Sequence, residues 1–402
     1  MLSKKELALI TLFFIIWRVT LFGLSFFADS FLLYQPSFPY FDTILPSTHL
    51  PRWLFSWANF DGVHYLTIAA EGYVGFGLVQ AFFPLFPYII LGFLHLTFGS
   101  SLISLAGGLV LTNVFSLLLA WVWYAFVKEF FDKDKAWLAV LLLFLFPTAF
   151  FLGALYTESL FLLLVISSFY TARKGWWFRA SLFAMLAAAT RVVGIFLIPA
   201  LLIELALQFY EKQSQQKKKI ILSVELIKSF FQKSLPQAVL ILCSSVGLLS
   251  YMFFLQQEFK DPLYFLHVQA DFGAGRQEGF ITYPQTWWRS LKTLLTFRPF
   301  NWRYFTVVNE FLAGTLGLPL LVLAAKYVRP SWVFFGLGVF LLPTLTGNFL
   351  SMPRFLLVCF PIFLVLVHFL PKKSLITLCF LGILCILLLI NTVLFIQGYW
   401  VS

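Results

Sequence analysis

Asp61, His64 and Tyr65 lie in the segment Trp57-Ala-Asn-Phe-Asp-Gly-Val-His-Tyr-Leu-Thr-Ile-Ala-Ala-Glu-Gly-Tyr73, a polar, aromatic-framed stretch in a chain that is otherwise mostly hydrocarbon. If Asp61 opens a helix, His64 and Tyr65 fall at i+3 and i+4 and share its face. A carboxylate, an imidazole and a phenol then point at one spot, and a carboxylate so placed can take a proton from a hydroxyl. The competing reading is an interfacial amphipathic helix with Asp61 as its cap. Other polar groups stand far away in the chain: Tyr156-Thr-Glu-Ser159, Arg191 and Ser351-Met-Pro-Arg354. Arg191, between Ala187-Ala-Ala-Thr190 and Val192-Val-Gly194, needs an anionic partner or water. For it, and for Arg354 at the mouth of a helix after Pro353, snorkelling to lipid headgroups is the alternative. Glu158 could simply complement the dipole of a helix capped by Thr157. Arg18, midway along the first apolar run, must pair inside the bundle, and Asp29 lies too far along to be its obvious mate.

The elements that must position these groups are membrane helices. Of 402 residues, 61% are hydrophobic, 20% aromatic and 11% charged. Soluble domains carry roughly 25% charged residues, so most of this surface is solvated by lipid. The chain reads as one all-α polytopic domain over 1–402. The net charge of +11 sits mainly in short loops between apolar runs, a placement that reports topology and not nucleic-acid binding. Cys243, Cys359, Cys379 and Cys385 stand inside apolar runs without metal-type spacing.

The first run, 7–27, follows the basic start of the chain and is too long for a cleaved leader, so the amino end is expected in the cytoplasm. Residues 28–78 then form a large first extracytoplasmic loop. Lys128, Lys133 and Lys135 form one basic loop, Arg173, Lys174 and Arg179 a second, and Lys212 with Lys217, Lys218 and Lys219 a third; all should be cytoplasmic. Alternation demands that 101–128 break near Thr112-Asn113 and 176–209 near Thr190-Arg191. That gives about 11–13 transmembrane helices, with Arg191 and the carboxyl end outside. Residues 211–235 read as a cytoplasmic basic loop and surface helix drawn to anionic lipid headgroups. Residues 257–305 read as a second outer loop, with His267, Asp271, Arg276 and an interfacial set of tryptophans.

Phe60-Asp-Gly-Val-His-Tyr-Leu-Thr-Ile-Ala-Ala-Glu-Gly-Tyr73, Ala81-Phe-Phe-Pro-Leu-Phe-Pro87, Tyr156-Thr-Glu-Ser-Leu-Phe161, Thr190-Arg-Val-Val-Gly194 and Ser351-Met-Pro-Arg-Phe355 with Phe360-Pro361 together resemble the PIG-V family of mannosyltransferases, within the GT-C class of polyprenyl-phosphate-sugar-dependent glycosyltransferases. Residues 205–345 match only in hydropathy, and Phe60 stands where the family usually has Trp. The resemblance implies a GT-C membrane fold, a catalytic carboxylate on the first outer loop and a polyprenyl-phosphate mannose donor; in eukaryotes the family acts on the glycosylphosphatidylinositol precursor. Both lines of reasoning meet at Asp61 as base for an inverting transfer, with Arg191 and Arg354 on the phosphate. His64 and Tyr65 would orient the acceptor or Asp61, and Tyr156 and Glu158 complete the substrate-binding set. Phe82-Phe83-Pro84 and the run 157–171 are candidates for a lipid groove. No cofactor beyond the lipid-linked sugar co-substrate is implied, and no metal unless Asp61 and Glu158 converge on one. The acceptor, a glycan or lipid, is not specified. The membrane would be the plasma membrane of a bacterium or the endoplasmic reticulum of a eukaryote. Alternatives are a GT-C enzyme for another lipid-linked sugar, a lipid or sugar flippase, and a scaffold whose polar residues face no common cavity.

Overall fold

The computed structural model describes residues 2–75, 77–96, 101–216, 224–269, 271, 279–372 and 374–401; Lys217, Lys218, Lys219 and Arg276 lie outside them. Among the described residues the chain is all helical. Helix α1 (Lys4–Phe27) leads to a first polar segment carrying α2 (Arg52–Phe55), α3 (Asp61–Glu71) and α4 (Leu85–Leu96). Next come α5 (Ser101–Val127), α6 (Lys133–Phe144), α7 (Glu158–Arg173), α8 (Trp177–Ala188), α9 (Leu197–Gln216), α10 (Val224–Cys243) and α11 (Val246–Phe259). A second polar segment holds α12 (Tyr264–His267) and α13 (Tyr283–Thr296), followed by α14 (Trp302–Ala324), α15 (Pro330–Thr344), α16 (Met352–Val358), α17 (Pro361–Phe369) and α18 (Leu375–Ile396).

Helix α1 starts in a capping box: Ser3 Oγ accepts from the Glu6 amide, and the Glu6 carboxylate accepts from the Ser3 amide. Among the described residues six helical segments are long and apolar enough to cross a membrane, and seven if the α16–α17 pair, bent by 76°, is counted as one span. Ion pairs gather one set of helix ends. Lys128 meets Glu6 at 2.6 Å, Lys174 meets Glu129 at 2.6 Å, and Lys372 meets Asp132. Fully buried Glu204 takes Arg173 at 3.3 Å and Arg329 at 2.9 Å. The basic loops therefore share one end of the bundle. At the other end, Asn59 Nδ2 donates to the Phe395 carbonyl at 2.8 Å and Thr306 Oγ1 to that of Trp400 at 2.9 Å, which puts the end of α18 beside the first polar segment.

One expected break is present and the other is not. Between α8 and α9 the helix opens at Arg191, whose backbone is extended (φ −152°, ψ 143°). Helix α5 instead runs unbroken for 27 residues. Thr112 Oγ1 donates to the Gly108 carbonyl at 2.9 Å and Asn113 Nδ2 to that of Leu109 at 2.6 Å, so both side chains donate one turn back along their own helix. Helix α4 packs against both α3 and α5.

Among the described residues Arg18 finds no carboxylate. Its Nη2 donates to the Gly153 carbonyl at 2.7 Å, and its guanidinium lies between the rings of Phe22 (3.8 Å) and Trp57 (4.0 Å). Asp29 is held elsewhere, by Arg52 and Gln397. A β-carbon at Gly153 would stand 2.7 Å from Arg18 Nη1, and the flanking rings leave the guanidinium no sideways exit. Gly153→Ala should therefore cost about 1–3 kcal/mol as an overpacked core site. A thermal midpoint equal to the parent's would mean that Arg18 can step aside.

Candidate active site

The turn before α3 is pinned from two directions. Asn59 reaches across to α18, at 2.8 and 3.2 Å from the Phe395 and Ile396 carbonyls. The Tyr156 hydroxyl donates to the Asn59 carbonyl at 2.8 Å and accepts from the Asp61 amide at 3.1 Å. Leu155 N–H donates to the Trp57 carbonyl at 2.9 Å, which stitches the approach to α7 against the approach to α3. A β-carbon on Gly62 would come within 3.0 Å of Ala58 Cβ and 3.4 Å of the Leu155 carbonyl, so an added side chain there needs its neighbours to give by a few tenths of an ångström. Phe60 (φ 58°), before Asp61, and Ser351 (φ 64°), at the start of the helix bearing Arg354, are both non-glycine residues in left-handed backbone. Strain of this kind persists where surrounding contacts over-determine the chain.

These turns deliver four charges to one place. Arg354 binds Asp61 Oδ2 through Nη1 and Glu158 Oε1 through Nε, while Arg191 Nη1 binds the same Glu158 oxygen and lies 3.3 Å from Thr157 Oγ1. The guanidinium of Arg354 rests over Tyr156 (4.6 Å) and Phe151 (5.0 Å). Two guanidiniums and two carboxylates thus balance. Their exposures differ: the Glu158 side chain is 0% exposed, Arg354 12%, Arg191 13% and Asp61 22%. Asp61 is the carboxylate a substrate can reach.

Asp61, Glu158, Arg191 and Arg354 converge from α3, α7, the α8–α9 break and α16. Neither arginine snorkels. Thr157 does not cap α7; its hydroxyl faces Arg191 and, at 3.5 Å, the Tyr65 hydroxyl. Tyr65 and His64 share the Asp61 face of α3, as spacing predicts, but His64 is buried and stacked on Phe82 at 4.9 Å. Tyr156 shapes the site through the α3 turn and the face it offers Arg354. Burial raises the Asp61 carboxyl, but Arg354, with smaller contributions from His64 and Arg191, holds it below the ordinary aspartate value. Burial lowers His64 against the pull of Asp61, so the imidazole is neutral at pH 7. The expected lipid groove is not where the sequence suggests. Phe83 is buried against Tyr251 and Phe265, and α7 is enclosed along nearly its whole length. Asn59 and Phe151 escaped sequence reasoning because their partners are hundreds of residues away or carry no motif.

The chain is similar to the Archaeoglobus fulgidus oligosaccharyltransferase, solved tethered to an acceptor peptide containing the NVT sequon. Identity is 13% and TM-score 0.42, over 96% of this chain and 56% of that one, so the chain spans little more than half that protein's length. No curated protein matches it. The family model for mannosyltransferase (PIG-V) matches residues 7–261, well past half of the 402 and including Asp61, Glu158 and Arg191. The chain therefore belongs to the mannosyltransferase (PIG-V) family of glycosyltransferases.

Proposed function

We propose that the chain transfers a sugar, mannose by its family, from a polyprenyl-phosphate donor to an acceptor hydroxyl, with inversion and with Asp61 as base. The observation that carries this reading is the bridging of Asp61 and Glu158 by Arg354, with Arg191 alongside. The acceptor oxygen attacks the anomeric carbon as its proton passes to Asp61. The bond from that carbon to the phosphate oxygen breaks, and the phosphate leaves with the electron pair as a monoester. Guanidiniums stabilise the charge growing on that leaving group, so no protonated general acid is needed. Glu158, fully buried, is out of reach as a second nucleophile, which favours single displacement. The place where a metal could join the two carboxylates is taken by the Arg354 guanidinium, so the reaction is proposed to run without one.

Lys128, Lys174 and their neighbours lie at the end of the bundle opposite the site; by the positive-inside rule the site is extracytoplasmic, facing the periplasmic side in a bacterium or the lumen in a eukaryote. A flippase would need a polar path between the ends. Against it, a packed set of buried rings (Phe126, Phe169, Trp332, Phe335 and Phe360, with neighbouring centroids 4.9–6.5 Å apart) fills the bundle beside the Glu204 cluster.

The test is incubation of the purified protein with polyprenyl-phosphate mannose, glucose and arabinose. Mannose donor should be consumed in preference. Arg354→Ala and Arg191→Ala should each raise the donor KM about tenfold or more, as expected for loss of a charge-assisted contact to phosphate. Donor KM unchanged in both would move the phosphate site elsewhere.

A further inference from the structure

We propose that the donor phosphate and Asp61 compete for the same guanidinium, so that donor binding takes Arg354 away from Asp61 and thereby arms the base. The inference rests on the transfer reaction above and adds how its site is switched on.

Geometry supplies the asymmetry. Arg354 is held by two carboxylates at once, through different nitrogens: Nε to Glu158 and Nη1 to Asp61. Glu158 is sealed from solvent and also anchored by Arg191, so the Nε side is the fixed pivot. Asp61 is the most exposed of the four charged groups and has no second cation in contact among the described residues, so the Nη1 side is the one that yields. Arg354 Nη2 makes no hydrogen bond to any described residue, which leaves an N–H edge for an incoming oxyanion.

Charge balance points the same way. The substrate-free cluster is neutral, and a sugar phosphodiester brings one negative charge. Once that phosphate shares Arg354, the released Asp61 stands near an anion with no ion pair, which favours uptake of a proton. As transfer proceeds, Asp61 loses its negative charge to the acceptor proton while the phosphate gains one on leaving as the monoester. A guanidinium able to contact both groups follows the charge from one to the other. Without donor, Asp61 stays masked and activates neither acceptor nor water.

The experiment measures equilibrium binding of a polyprenyl phosphate, the reaction product, to the full-length protein in lipid nanodiscs. Asp61→Asn and Asp61→Ser should each bind it about tenfold tighter than the parent, the equivalent of removing roughly 1.4 kcal/mol of competition. The gain should vanish when Arg354→Ala is present in both members of the comparison. Equal or weaker binding by folded Asp61→Asn and Asp61→Ser would overturn the exchange while leaving Asp61 as base if both are inactive. Failure of the parent to bind polyprenyl phosphate at all would instead overturn the donor class.

A kinetic arm needs no variant. The groups facing Asp61 are Arg354 and Arg191, Glu158 and Tyr156, and His64 and Tyr65 on its own helix. Because kcat/KM reports the free enzyme and kcat the donor complex, the acid limb of kcat should lie at higher pH than that of kcat/KM. Coincident limbs would count against the exchange.

Discussion

Asp61→Asn should abolish sugar transfer, leaving less than a tenth of the parent rate, while the protein stays folded with a thermal midpoint within a few degrees of the parent. Loss of a positioned base costs on the order of 10²–10⁴ in rate, and an amide at this position cannot accept the acceptor proton. The stability side follows from exposure. Asp61 is partly open to solvent, and its partner Arg354 keeps the buried carboxylate of Glu158 when the Asp61 charge is removed. The α3 turn does not depend on the Asp61 side chain either: its amide is held by Tyr156, and Asn59 by α18. Measuring donor consumption and a melting curve on one preparation checks both halves. A residual rate above a tenth would remove Asp61 as base. A large fall in thermal midpoint would mean that the Asp61–Arg354 pair supports the bundle more than its exposure implies.

The polar residues that converge were legible in the sequence because each is costly where it stands. A guanidinium amid Ala187-Ala-Ala-Thr190 and Val192-Val-Gly194 demands an anion, and the helix does open at Arg191 to meet Glu158. Asp61 opens α3 as the spacing predicts. The same logic misled at Thr112-Asn113, where hydroxyl and amide groups bond back to their own helix and impose no break. Arg18 had no legible partner because that partner is a backbone carbonyl, Gly153, on a segment 135 residues away. A carbonyl leaves no signature in residue type. Nor could the division of labour between the carboxylates be read from type alone: Asp61 and Glu158 differ in burial, which packing sets.

That division gives Glu158 the other large effect. Glu158 Oε1 accepts from both Arg354 and Arg191, and the side chain is fully buried, whereas the two guanidiniums keep 12–13% exposure. Glu158→Gln preserves the shape but removes the only carboxylate that Arg191 contacts among the described residues, leaving a partly buried charge uncompensated. Breaking a buried pair from one side costs about 3–5 kcal/mol, so the thermal midpoint should fall far more than in Asp61→Asn, and transfer should be lost because both guanidiniums lose their anchor. Charge, as opposed to shape, is tested by pairing the change with Arg191→Met, which removes the cation stranded by the first substitution. The double variant should recover much of the lost stability without recovering transfer, since neutrality is restored but the phosphate-binding cation is gone. If Glu158→Gln melts like the parent and still transfers sugar, the guanidiniums are held by something other than this carboxylate. If the double variant is no more stable than Glu158→Gln alone, the loss lies in packing around Glu158 and not in its charge.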